Sequence, residues 1–179
     1  MTRITTAGTL ALISLLAAWP PAAHACRKAG RTPTAQTVEA ARTAVACLID
    51  QRRRHHHLRH LAGDASLGKA AQEHSDAMTA DDFFAHNGSD GTPKSRASWA
   101  GYSKGASSWG IGENLGFGTG RLGSPRSIVT AWMHSGTHRD VILSKRWRQI
   151  GVGVTLGSPL GADGSGMATY TVDFGYWRG

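Results

Sequence analysis

The spacing of apolar residues changes once along this 179-residue chain, and that change limits the folds open to it. From Thr34 to Arg54, Val38, Ala41, Val45 and Leu48 recur every three or four residues, which predicts a helix with one apolar face. Leu67, Ala70, Ala71, His74, Ala77 and Met78 do the same over Ser66–Ala80, after a turn at Gly63-Asp64. A short helix is expected over Pro93–Ala100. Another starts at Ser124-Pro125, with proline at its first position, and carries Ile128, Val129, Trp132 and Met133. Gly136-Thr137-His138-Arg139 interrupts it before a last helical piece, Asp140–Leu143. The period then drops to two. Ile150–Leu156 alternates branched apolar with small residues, and Ala168–Gly175 pairs with it across a Gly/Pro/Asp-rich loop. The glycine-dense Gly110–Gly120 has room for a short strand through Glu113–Phe117. Helices first and an antiparallel hairpin last define an α+β domain, with no internal repeat and no linker.

Residues 1–25 read as a secretory signal peptide. Arg3 is its positive start, Leu10–Trp19 its apolar stretch and Ala23-His24-Ala25 its small-x-small cleavage site. The stretch is shorter than the roughly 20 residues that cross a bilayer, and no transmembrane segment is expected in residues 26–179, which form a single domain. The chain is therefore expected to act outside the cytoplasm. Its two cysteines, Cys26 and Cys47, then sit in an oxidising setting, where a disulfide pinning the new N-terminus to the first helix is worth roughly 3 kcal/mol. The alternative is a lipid on Cys26, which excludes that bond. The net charge of +8 includes Arg3, so about +7 remains after cleavage. The charge favours anionic surroundings, but it is spread along the chain without a nucleic-acid motif, and no nucleic-acid partner is expected.

Several polar and aromatic residues have structural readings. His55, His56 and His57 follow Arg52–Arg54 and, being adjacent on a helix, point in different directions; a solvated helix end is expected. His74 on an apolar stripe reads as a hydrogen-bonded core histidine. Asn114 suits a bond to buried backbone, and Arg139 a pair with Asp140 or Asp173. Trp99, Trp109, Trp132, Trp147 and Trp177 read as core or rim packing.

Three residues remain as carriers of chemistry. His86 follows Phe83-Phe84 at the head of a loop, Glu113 lies between Gly112 and Asn114, and His138 stands where a helix breaks. Two imidazoles and a carboxylate suit a zinc-like ion, or proton transfer with the carboxylate fixing a histidine tautomer.

These residues sit within a longer ordered pattern. It includes Ala70–Met78, Phe83-Phe84-Ala85-His86 with Ser89-Asp90-Gly91, Arg96 with Gly101-Tyr102, Gly112-Glu113-Asn114-Leu115 and Trp132-Met133-His134-Ser135. His138–Leu143, Ile150–Val154 and Thr169–Gly175 complete it. In this the chain resembles the CAP superfamily (cysteine-rich secretory proteins, antigen 5 and pathogenesis-related proteins; SCP-like domains), particularly its bacterial branch. The resemblance implies an α-β-α sandwich, a small and mostly antiparallel sheet between helices, with a central cleft carrying two histidines and two glutamates that often hold a divalent metal. His86, His138 and Glu113 match three of the four. The second glutamate falls at Ser135, which leaves one carboxylate and implies weaker metal binding. His57 stands where a glycine often precedes the matched Leu58.

Three functions follow from the resemblance. The first is a secreted module whose cleft (His86, Glu113, His138, with Ser135 and Asn114 beside them) binds a lipid, sterol-like or cell-envelope ligand, with Zn2+ or another divalent metal as the expected cofactor. The second is a protease-like extracellular hydrolase, with Glu113 or a metal-bound water held by the histidines as base, or with Ser135 and His138 as nucleophile and base. The third is a non-catalytic envelope interaction protein working through its basic surface.

Overall fold

The computed structural model describes residues 26–161 and 166–179; the proposed signal peptide and part of the hairpin loop lie outside the described residues. In chain order the elements are α1 (Val38–His55), β1 (Ala62–Gly63), α2 (Ala65–Ala80), α3 (Pro93–Trp99), β2 (Ser108–Thr119), α4 (Pro125–His134), α5 (Gly136–Ile142), β3 (Gln149–Leu156) and β4 (Met167–Arg178). The sheet order is β1-β3-β4-β2. The β3/β4 and β2/β4 pairs are antiparallel, and the two-residue β1 runs parallel to β3.

The helices begin where side chains can cap them. Asp64 accepts from the Leu67 amide at 3.0 Å, so Gly63-Asp64 is the end of a strand and a helix cap rather than a free turn. Thr92 and Ser95 form a reciprocal capping box ahead of α3, with Pro93 in its first turn. Ser124 caps α4 through the Ser127 amide, at 3.3 Å. The first helix starts at Val38, four residues later than its apolar period implies, because the Thr37 hydroxyl accepts from the Thr34 amide at 2.8 Å and closes a turn there. The break between α4 and α5 is the single residue Ser135, so Gly136–Arg139 belong to α5 rather than to an interruption.

Alternation sorts the sheet into two faces. Tyr170, Val172 and Phe174 of β4 pack with Val45, Ile49, Ile128 and Trp132 into the main core, against α1 and α4. Their neighbours Thr171, Asp173 and Gly175 turn to the other face, where Ser75 of α2 donates to Thr171 at 2.9 Å and Tyr102 packs on Gly175. A Cβ at Gly151 or Gly153 would collide with the α2 backbone, so that helix lies directly on β3. The domain is an α-β-α sandwich with a mixed, mostly antiparallel sheet.

Cys26 and Cys47 form the expected disulfide, with Cα atoms 5.7 Å apart. It occupies the sulfur that a lipid thioether on Cys26 would need. Among the described residues no helix is long and apolar enough to cross a membrane.

The end of α1 departs from a simple solvated terminus. His55, His56 and His57 are exposed, but Arg53 is 0% exposed and donates to the carbonyls of Ile142 (2.7 Å), Ser144 (3.0 Å) and Arg59 (3.2 Å). The helix closes with the Leu58 amide on the Arg53 carbonyl and the His57 amide on that of Arg54, with His57 at φ +55°. That is the left-handed closure a glycine makes without strain. Trp132 and Trp147 are core residues, Trp109 is half-buried and Trp177 stands at the rim. Trp99, at 71% exposure, is a rim residue whose ring lies against Gly91.

Candidate functional site

The expected site residues gather along β2, the edge strand remote from β1. Successive side chains on a strand point to opposite faces, so Glu113 and Asn114 reach different layers. Glu113 faces α3 and the loop after α2. Its Oε1 meets His86 Nδ1 at 2.7 Å, and its Oε2 accepts from Arg96 Nη2 at 2.6 Å. Asn114 faces α5, where its Nδ2 donates to the His138 carbonyl at 3.1 Å. Asn114 thus has the backbone role expected of it, with His138 as the beneficiary. Arg139 forms neither expected pair: its guanidinium lies 3.5 Å from the Met133 carbonyl.

The face holding Glu113 carries a continuous polar chain. His74, buried as expected, places Nδ1 2.7 Å from Asp90 Oδ2 and Nε2 3.0 Å from the Ala85 carbonyl. Arg96 reaches Asp90 at 3.5 Å, the Gly91 carbonyl at 2.9 Å and the His86 carbonyl at 3.1 Å, besides Glu113. The side chains of Arg96 and Glu113 are each 2% exposed, so this pair is desolvated and depends on its full set of partners. Asp173 lies across the strand from Glu113, fully buried, and its oxygens accept no hydrogen bond among the described residues. Burial, then the Glu113 charge, push its carboxyl well above the usual carboxylate range, against the pull of Arg96.

The two site histidines are held differently. The bond to Glu113 raises the His86 pKa above the ordinary 6.5, outweighing burial. Burial, followed by repulsion from His86, lowers that of His138. His138 Nδ1 lies 2.8 Å from Ser135 Oγ, so the serine at the matched glutamate position does the orienting. Both Nδ1 atoms are engaged, and both Nε2 atoms remain available to a ligand.

Arg96, Asp90 and Asp173 are parts of this site that sequence reasoning leaves without a role. All three lie inside the quoted pattern, and Asp173 is also the lone acid of the apolar strand Ala168–Gly175.

Among the described residues no group of three or more His, Cys, Asp or Glu side chains is arranged to hold a metal ion. Glu113 already has a partner on each oxygen, His86 on Oε1 and Arg96 on Oε2. Its geometry is that of a carboxylate orienting a ligating imidazole.

An α-β-α sandwich with a histidine on each side of an edge strand defines a class of small domain. The sequence profile of the cysteine-rich secretory protein (CAP) family matches residues 47–174, and the chain belongs to that family. The fold is similar to an extracellular protein with an SCP domain from Bacillus anthracis (22% identity, TM-score 0.62, 79% of this chain and 43% of that one). It also resembles an outer surface protein from Borrelia burgdorferi (19%, TM-score 0.65, 83% and 98%) and a cysteine-rich secretory protein from Staphylococcus aureus (13%, TM-score 0.56, 79% and 40%). The chain thus spans less than half of the Bacillus and Staphylococcus proteins. No curated protein matches it.

Proposed function

We propose that this is an exported, non-catalytic binding domain whose two site histidines face the ligand. The observation that carries this reading is the engagement of both Glu113 oxygens, which leaves the carboxylate orienting His86 rather than waiting as a base. Beside His86, Phe84 and Phe117 meet edge to face at 4.9 Å, with Phe84 exposed. Imidazoles next to an aromatic flank suit a molecule with a polar head and an apolar body: a lipid, a sterol-like compound or an envelope component.

A divalent cation such as zinc would be held by Nε2 of His86 and of His138, and would supply a positive charge for a polar head group. The chain's own contribution is to fix both rings, through Glu113 and Ser135, and to hold Glu113 in place through Arg96.

The Ser135–His138 hydrogen bond favours a hydrolase as the second reading, with Ser135 as nucleophile. No Gly-x-Ser-x-Gly elbow surrounds Ser135.

The test is binding of a fluorescent fatty acid and a fluorescent sterol, with and without zinc, by the protein and its His86→Ala/His138→Ala variant, alongside peptide and ester hydrolysis. Binding weakened about tenfold or more in the variant, with no turnover by either protein, supports the reading (tenfold is 1.4 kcal/mol). Turnover abolished by Ser135→Ala would establish the hydrolase instead.

A further inference from the structure

Away from the two site histidines, the far ends of β2 and β4 border a half-open cavity of about 300 Å³ lined by Ser108, Arg146, Arg148, Tyr176, Trp177 and Arg178. Three of its six lining residues are arginines, and none of the ion pairs among the described residues includes them.

The wall is held in place by the fold. Gly110 lies opposite Tyr176, and a Cβ there would strike the Tyr176 ring. Gly112 leaves the same room for Trp147, and the two rings stack with centroids 6.3 Å apart. The Arg146 guanidinium sits 5.0 Å from both ring centroids, a cation–π arrangement that fixes its plane. Arg148 donates Nη1 to the carbonyls of Lys145 (2.8 Å), Arg146 (3.1 Å) and Trp147 (2.9 Å), which fixes the loop carrying Arg146. Arg178 arrives from β4, cross-strand from Ser108. Hydrogen bonds from Ser108 and Arg146 hold the Tyr176 phenol below its usual range.

Three cations brought together without a carboxylate repel one another, and an anion in the cavity relieves that repulsion. Guanidinium forks match the oxygens of a phosphoryl group, and the Ser108 and Tyr176 hydroxyls add donors. The Tyr176 ring, part-buried in the same wall, offers an apolar face to whatever carries the phosphate. We infer that this cavity binds a phosphoryl group borne on a sugar or polyol. One half-open pocket with three cations suits one phosphate and its neighbour, not a nucleic-acid backbone, which needs a track of cations. The inference is independent of the histidine site.

The test is an NMR titration of the purified protein with inorganic phosphate and with glycerol 3-phosphate at constant ionic strength, following arginine Nε–H and tryptophan indole signals. Saturable shifts at Arg146 and Arg178 are expected, with binding about tenfold weaker in Arg178→Gln from loss of a charge-assisted bond. Tyr176→Phe, which removes a single hydroxyl, should weaken binding several-fold with the spectrum otherwise intact. Tighter binding of the ester shows that the polyol is read as well as the phosphate; equal binding shows a site for the free anion and overturns the polyol part. Absence of saturation for both at tens of millimolar, shifts unaffected by either substitution, or tighter binding of a single-stranded oligonucleotide would overturn the proposal.

Discussion

The two faces of the sheet treat polarity in opposite ways, and each supplies one site histidine. On the α1/α4 face, the polar tips of Trp132, Trp147 and Tyr170 end on backbone carbonyls at 2.7, 2.9 and 2.6 Å, within an apolar core. On the α2/α3 face, His74, Ser75, Arg96, Glu113 and Asp173 are buried together. His86 is accordingly oriented by a charged network, and His138 by two neutral neighbours, Ser135 and Asn114. The same task, fixing an imidazole with Nε2 outward, thus has an ionic solution and a neutral one. The ionic one is a set whose members rely on one another; the neutral one is a pair of separable contacts.

The largest expected break in that comparison is Arg96→Met, which strands the Glu113 charge and should cost about 3–5 kcal/mol in urea unfolding. A cost near zero would mean that the network is not what holds this face. On the neutral side, Asn114→Ala should cost about 1–3 kcal/mol, and the His86 resonances should stay in place. Ser135→Glu makes the neutral side resemble the ionic one. Zinc affinity by calorimetry should rise about tenfold, and the His138 pKa should move up; unchanged affinity would argue against the two-histidine cation site.

The subtlest contrast is in acid–base behaviour, read by NMR titration of the ring protons. His86 should titrate above 6.5 and His138 below it. The contribution of His86 to stability is complete below the unfolded value of 6.5 and fades as pH rises through its folded value. That of His138 is present above 6.5 and fades as pH falls through its own. Shifts of the same sign would remove the distinction between the two sides.

The sequence made some of this legible and hid the rest for physical reasons. Apolar spacing located α1, α2 and α4, and the alternation of Ile150–Leu156 located β3. It found less than half of β2, because Gly110, Gly112, Gly116 and Gly118 carry no apolar alternation. Their reason lies in partners: Gly110 admits Tyr176, Gly112 admits Trp147 and Gly116 admits Ile128 and Trp132. The family resemblance placed His86, Glu113 and His138 in one site, but Glu113 looked like a ligand until Arg96 was seen on its second oxygen. Arg96 and Asp173 acquire meaning only when α3 covers the sheet and β4 pairs with β2, which no local pattern encodes. His57 is the reverse case. It stands where a glycine is frequent, and its positive φ is the conformation a glycine takes there without strain.

The glycines at 151 and 153 have a wider consequence. With the backbone of α2 seated against them, the distance between that helix and the sheet has no slack. His74 rides on this helix and leads through Asp90 and Arg96 to Glu113. The calibration of the histidine site therefore resides two strands away, in positions that carry no chemistry. A single added methyl group there would act like a shim under a lens mount, detuning the focus while leaving every optical surface intact.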